Sequence, residues 1–173
     1  MSNGERSFHV ELALDAIRVY ICSRRVHKPP ADMPAEMSGK AGCFVSLKKL
    51  GQLRGCIGTI EPTQPSIALE IVHTGINAAT RDPRFEPVTQ DEIDHLICSV
   101  DVLMAPEPVI DVCQLDPIRY GVIVESGYKR GLLLPNLEGV DTVDYQLEIA
   151  RRKACIGPNE VCRMYRFEVK RYY

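Results

Sequence analysis

The chain has no tryptophan, and aromatic residues make up only 6% of its 173 positions. A platform that stacks single-stranded bases needs a row of such rings, so that function is not indicated. Charge of either sign is not in excess: 21 Lys and Arg face 23 Asp and Glu, for a net charge of -2. There is no global basic field of the kind that holds nucleic acid non-specifically. No apolar run is long enough to span a bilayer. Met1-Ser2-Asn3-Gly4-Glu5 lacks the charged and apolar regions of a signal peptide, so a cytoplasmic chain with reduced cysteines is expected. The seven cysteines are odd in number and none shows the close paired spacing of a zinc site. The four histidines (His9, His27, His73 and His95) are scattered, so no metal and no cofactor is expected. A glycine-rich phosphate loop with its lysine, a dinucleotide fingerprint and a serine-nucleophile elbow are also missing.

Hydrophobic residues at 45% and charged residues at 25% are ordinary for a soluble globular protein. The length fits a single domain over residues 1–173, or one domain with a small second lobe. Val10, Ala13, Leu14, Ile17 and Ile21 recur three and four apart, predicting a helix from an N-cap at Ser7 to about Arg24. The proline- and glycine-rich stretch 27–42 reads as a loop. Cys43–Leu47 and Gln52–Ile60 read as a hairpin. A helix is expected from Pro65, as its first residue, to Arg81. Thr89-Gln90-Asp91-Glu92 has the form of a capping box. Leu96, Cys98, Val100, Val102 and Met104 alternate as a strand, closed by Pro106 and Pro108. Asp116-Pro117 reads as a cap with a first-turn proline. A second hairpin is expected around Ser126-Gly127, a helix over about 142–155, and a final strand through Tyr165, Phe167 and Val169. No internal repeat is visible. The order predicts an α+β fold, mostly antiparallel sheet built from two hairpins and further strands, with helices packed on it.

The most distinctive run is Leu53-Arg54-Gly55-Cys56-Ile57-Gly58-Thr59. It sets a thiol between two glycines, each of which weakens an ordinary strand and lets other groups approach the main chain closely. Arg54 and Cys56 are two apart and share a strand face, and a guanidinium near a thiol favours the nucleophilic thiolate. Cys56 and Arg54 are therefore the candidate catalytic pair. Main-chain N–H groups around Gly55 and Gly58 are candidates for holding an anionic oxygen. The opposing reading is a cysteine packed as a small hydrophobe, and the residues alone weigh the two evenly. Arg81-Asp82-Pro83-Arg84-Phe85 offers an anion-binding edge, although a local Asp cap with paired arginines is the commoner arrangement. Glu61 stands at the exit of the cysteine strand as a candidate acid or base, and equally as a solvated turn residue. His73 would make a thiol–imidazole pair with Cys56, but a lone helical histidine is more often at a polar edge, and His95 reads as structural. Tyr128-Lys129-Arg130-Gly131-Leu132-Leu133-Leu134-Pro135 fits a buried strand, with Gly131 marking a bulge or a close backbone approach.

The cysteine run, Asp82-Pro83-Arg84-Phe85 and Gly131-Leu132-Leu133-Leu134-Pro135, in that order, resemble the AMMECR domain family, whose prokaryotic members are called AmmeMemoRadiSam system protein A. The likeness runs from the first helix to Tyr165-Arg166-Phe167-Glu168. It implies a compact α/β protein with antiparallel sheet, and company with a Memo-type protein and a radical S-adenosylmethionine protein. It implies no settled activity. It carries over Arg54, Gly55, Cys56, Gly58, Asp82, Arg84 and Gly131 as matching positions without assigned roles. Together with Thr59, the non-catalytic members of that set are the expected ligand contacts. The residues and the resemblance lead to a small-ligand or group-transfer pocket centred on Cys56, taking a small anionic ligand. The alternative is a non-catalytic interaction module, and whether the chain is an enzyme stays open.

Overall fold

The computed structural model describes residues 6–173, so the signal-peptide reading of residues 1–5 lies outside it. The chain forms two compact units. One gathers the described residues up to Val102 with Arg171–Tyr173, and the other is Leu103–Lys170. Each has its own four-stranded sheet, where the sequence reading expected one.

The first unit starts with helix α1 (Phe8–Ser23), capped by Ser7 as expected, and ended by Arg24 in the left-handed region. Strands β1 (Cys43–Lys49) and β2 (Gln52–Gly58) form the anticipated hairpin. Helix α2 (Ile67–Thr80) is capped by Ser66. Pro65 therefore precedes the cap and does not open the helix: the Ser66 hydroxyl accepts from Leu69 N–H, a bond proline cannot supply. The capping box at Thr89 is present, with Thr89 N–H donating to Glu92 Oε2 at 3.0 Å. Strand β3 (Leu96–Leu103) follows, and the sheet order is β2-β1-β3-β8, where β8 is Val169–Tyr172. Helix α2 packs on β1 and β2, and α1 packs on α2. Val10, Ala13, Ile17, Val45, Leu47, Ile71, Val72 and Val100 fill the core between them. Met104 is half exposed and lies beyond β3, so the alternation ends at Val102.

The second unit has strands β4 (Glu107–Val109), β5 (Gly121–Ser126), β6 (Lys129–Leu133) and β7 (Arg163–Phe167) in the order β4-β7-β5-β6, with α3 (Val143–Lys153) packed on β5 and β6. Strand β3 ends at Leu103, ahead of Pro106 as expected, and Pro108 lies in the further short strand β4 of the other sheet. Pro108 sits in an edge strand, where a missing N–H is tolerated. Asp116-Pro117 opens a turn, not a helix, in which Asp116 Oδ1 accepts from Ile118 and Arg119 N–H. The last expected strand is two, β7 and β8, divided at Glu168.

The two units repeat one topology that the sequence hides. In each, a hairpin is followed by a helix and then by a strand that pairs antiparallel with the hairpin's first arm: β1-β2-α2-β3 and β5-β6-α3-β7. Each carries an Arg-Gly pair on its edge strand. A Cβ on Gly55 would lie 2.1 Å from Ala78 O of α2, and one on Gly131 would lie 2.3 Å from Ala150 O of α3. In both units glycine is what allows the helix main chain to rest on the strand.

Candidate functional site

Strand β2 is the edge of its sheet, so alternate peptide groups face away from β1 and need other partners. At Cys56 both are supplied by one corner of the chain. Asp82 Oδ2 accepts from Cys56 N–H at 2.9 Å, and Arg84 Nη2 donates to Cys56 O at 3.2 Å. The corner is itself closed. Asp82 also accepts from Arg84 N–H, from Arg84 Nε at 2.9 Å and from Arg84 Nη2 at 2.7 Å. Its side chain is 2% exposed, while that of Arg84 is 55% exposed. Hydrogen bonding from the Arg84 side chain holds the Asp82 carboxyl well below the usual range, with the Cys56 and Arg84 N–H groups adding to it. The Arg84 guanidinium is raised in turn, first by its hydrogen bonding to Asp82 and also by the charge of that carboxylate.

Cys56 itself is half-buried. Its Sγ lies 3.0 Å from Ser46 Oγ, directly across the hairpin, and Ser46 pairs on its other side with Ser99 of β3. A row of small polar side chains thus crosses three strands. The equivalent row of the second unit is Leu132, Ile123 and Tyr165, two aliphatic side chains and a phenol. The fold requires the glycine of each Arg-Gly pair; it does not require a thiol beside it.

Arg54 shares the strand with Cys56, but its fork grips Glu92: Nε to Oε1 at 3.1 Å and Nη2 to Oε2 at 2.8 Å. Its Nη1 donates to Glu86 O. Lys49 Nζ adds a further bond to Glu92, and these cations hold its carboxyl well below the usual range, Arg54 first and Lys49 second. Arg54 therefore ties β2 to the segment after α2. Thr59 is also engaged. Its hydroxyl donates to Glu70 Oε1 at 2.7 Å and accepts from Cys43 N–H. The Cβ position of Gly58 is filled by the Phe44 ring, and Gly55 lies under α2. Gly131 belongs to the second unit, where it serves the contact with α3. The structure thus brings Cys56, Asp82 and Arg84 together, gives Arg54 and Thr59 other partners, and assigns Gly55, Gly58 and Gly131 to close packing.

Two residues escaped the sequence reading. Ser46 gave no signal because a single serine in a strand is commonplace. Glu70 is 1% exposed in the middle of α2 and accepts four hydrogen bonds, from the Thr59 and Thr63 hydroxyls and from Thr63 and Gln64 N–H. A glutamate flanked by Leu69 and Ile71 was its only trace. It pins the exit of β2 onto the helix. The buried thiols Cys43 and Cys98 are both pushed up to about 12 by burial, which leaves them protonated and inert.

A Thermotoga maritima protein is 50% identical to this chain over 172 residues, covering 98% of each. A Clostridium acetobutylicum protein is 47% identical over 97% of this chain, which spans only 36% of that longer protein. The crystal structure of the uncharacterised protein PH0010 from Pyrococcus horikoshii matches with a TM-score of 0.88 at 33% identity, covering 95% of this chain and 88% of that one. The AMMECR1 family model matches residues 10–172. With nearly the whole sequence matched and the fold shared with a solved relative, the chain belongs to the AMMECR1 family.

Proposed function

We propose that the first unit carries a small-ligand or group-accepting site centred on the Cys56 thiol, with Arg84 as the cation that serves it. The observation that carries this reading is the half-buried sulfur set against the Ser46 hydroxyl, on a strand whose peptide groups are clamped by Asp82 and Arg84. Fixing the main chain fixes the direction of the Cα–Cβ bond, and the contact with Ser46 Oγ holds the remaining torsion of the sulfur. Arg84 donates to the Cys56 carbonyl, so a cation stands at the residue that carries the sulfur, where it would favour negative charge on the sulfur or on an anionic ligand. In the group-accepting step the thiol gives up its proton to solvent, sulfur bonds to an electrophilic carbon, and the ligand's leaving group departs with the bonding pair. The aliphatic Leu132 and Ile123 at the same places in the second unit support the reading, since the shared topology is built there without a thiol.

The test is peptide-resolved alkylation of the native chain across pH. Cys56 should react faster in wild type than in Arg84→Ala, with Arg84→Lys between them. The exposed thiols Cys22, Cys113 and Cys155 serve as internal standards that do not change. Equal rates at Cys56 in all three proteins would overturn the role given to Arg84.

A second reading has its own support. The same sheet face carries Ile97, 63% exposed, and this domain is joined to further sequence in the longer Clostridium relative. Both suit a module that works against another protein, with the Memo-type and radical S-adenosylmethionine proteins as the partners to try. Retained capture of either by Cys56→Ala, with loss in Ile97→Asp, favours this reading over the thiol site.

A further inference from the structure

Within the second unit, independently of Cys56, a cavity of about 480 Å³ opens beside β4 and β7. That is within the range of small-molecule sites, roughly 300–1,000 Å³. Four charged side chains line it, and they pair off. Arg166 holds Glu107, its cross-strand neighbour, through Nε at 3.2 Å and Nη2 at 3.1 Å, both to Oε2, and donates Nη1 to Gln114 O. Arg119 holds Glu168 Oε1 through Nε at 2.9 Å. Both guanidinium carbons pack over the Tyr120 ring, at 4.5 Å for Arg166 and 4.9 Å for Arg119, and the half-exposed Met104 with Ala105 and Tyr120 provides the accessible apolar part of the lining.

The two arginines differ in what they have left to offer. All three nitrogens of Arg166 are engaged, so it is a fixed positive wall. Arg119 is 65% exposed and, among the described residues, hydrogen-bonds Glu168 through Nε, while its terminal nitrogens hold no side-chain partner there. The turn that presents it is rigid: Asp116 accepts from Ile118, Arg119 and Tyr120 N–H, and the buried Gln146 amide donates to Tyr120 O. Glu107 and Glu168 each pair through one carboxylate oxygen and keep the other. A phosphate or a dicarboxylate brought to Arg119 meets two carboxylates nearby. A simple amine meets two guanidiniums. A molecule with one charge of each sign and an apolar body satisfies the cavity on every count.

We propose that this cavity binds a zwitterion of the amino-acid class, its carboxylate on the terminal nitrogens of Arg119, its ammonium on the open oxygens of Glu107 and Glu168, and its side chain against Tyr120 and Met104. The test is titration of the isotopically labelled full chain with L-leucine, read from the amide shifts of Arg119, Tyr120, Arg166 and Glu168. Saturable shifts confined to these residues are expected, with affinity at least tenfold weaker in Arg119→Ala and partly restored in Arg119→Lys. N-acetyl-leucine lacks the ammonium and isoamylamine lacks the carboxylate, and each should bind at least tenfold more weakly than leucine. Absence of saturable binding, equal affinity in Arg119→Ala, or equal affinity for either truncated probe overturns the proposal. Unchanged thermal melts of the two Arg119 variants show that the fold is intact.

Discussion

Asp82 satisfies a main-chain donor on β2, a main-chain donor in its own turn and a guanidinium at once. Replacing it with alanine leaves Cys56 N–H without a partner and Arg84 without its anchor. The expected loss is about 2–3 kcal/mol, read from urea unfolding. The same carboxylate links stability to pH. Its folded-state pKa lies below that of the unfolded chain, so the unfolded state takes up the proton first as pH falls. The stabilisation is complete above the ordinary carboxylate range, about pH 4, and drains away below it. Glu92, held down by Arg54 and Lys49, behaves alike. Asp82→Asn and Glu92→Gln should therefore melt lower than wild type at neutral pH. They should also lose less melting temperature than wild type on acidification from about pH 6 to about pH 3.

Among the elements, Gly55 and Gly131 make the sharpest paired prediction. Alanine at either drives a methyl into a helix carbonyl, Ala78 O or Ala150 O, and the helix must move away from its strand. Each substitution should cost about 1–3 kcal/mol in chemical denaturation, whereas Cys56→Ser, at a half-buried side chain, should cost under about 1 kcal/mol. Much at this scale was readable in advance because it is local. The apolar spacing of α1 and its Ser7 cap, the alternation from Leu96 to Val102 and both hairpins rest on neighbours a few residues apart. What was misread has equally physical causes. Pro65 is as suited to the residue before a cap as to a first turn. Pro108 reads as a strand breaker unless the strand is known to be an edge. The bond from Cys56 to Asp82 and the grip of Arg54 on Glu92 join residues 26 and 38 positions apart, and no periodicity announces them. The sharing of one topology by the two units is hidden for the same reason. Only an Arg-Gly pair survives as a written sign of it, while the contacts that make the units alike are between backbones.

In the molecule as a whole, the first unit is discontinuous in sequence. The chain leaves it after Val102 and re-enters at Arg171. Arg171 then meets Asp101 through Nε and Nη2, and Asp101 is 5% exposed. Removing the cation leaves that carboxylate buried and unpaired, so Arg171→Met should destabilise the protein by about 3 kcal/mol in equilibrium unfolding. The double variant with Asp101→Leu should recover much of that loss.

Tyr172 stacks on His9 with ring centroids 3.5 Å apart, and Tyr173 O accepts from Ser7 N–H. During synthesis on the ribosome, α1 and the first three strands emerge well before the residues that complete their sheet. The Leu103–Lys170 unit, with all its strands and its helix in one continuous stretch, can mature first. The earlier-made half must wait with an open edge on β3 until the last strand arrives. A nascent chain stalled with residue 170 just outside the exit tunnel should therefore hold an ordered later half beside an earlier half still open to proteolysis.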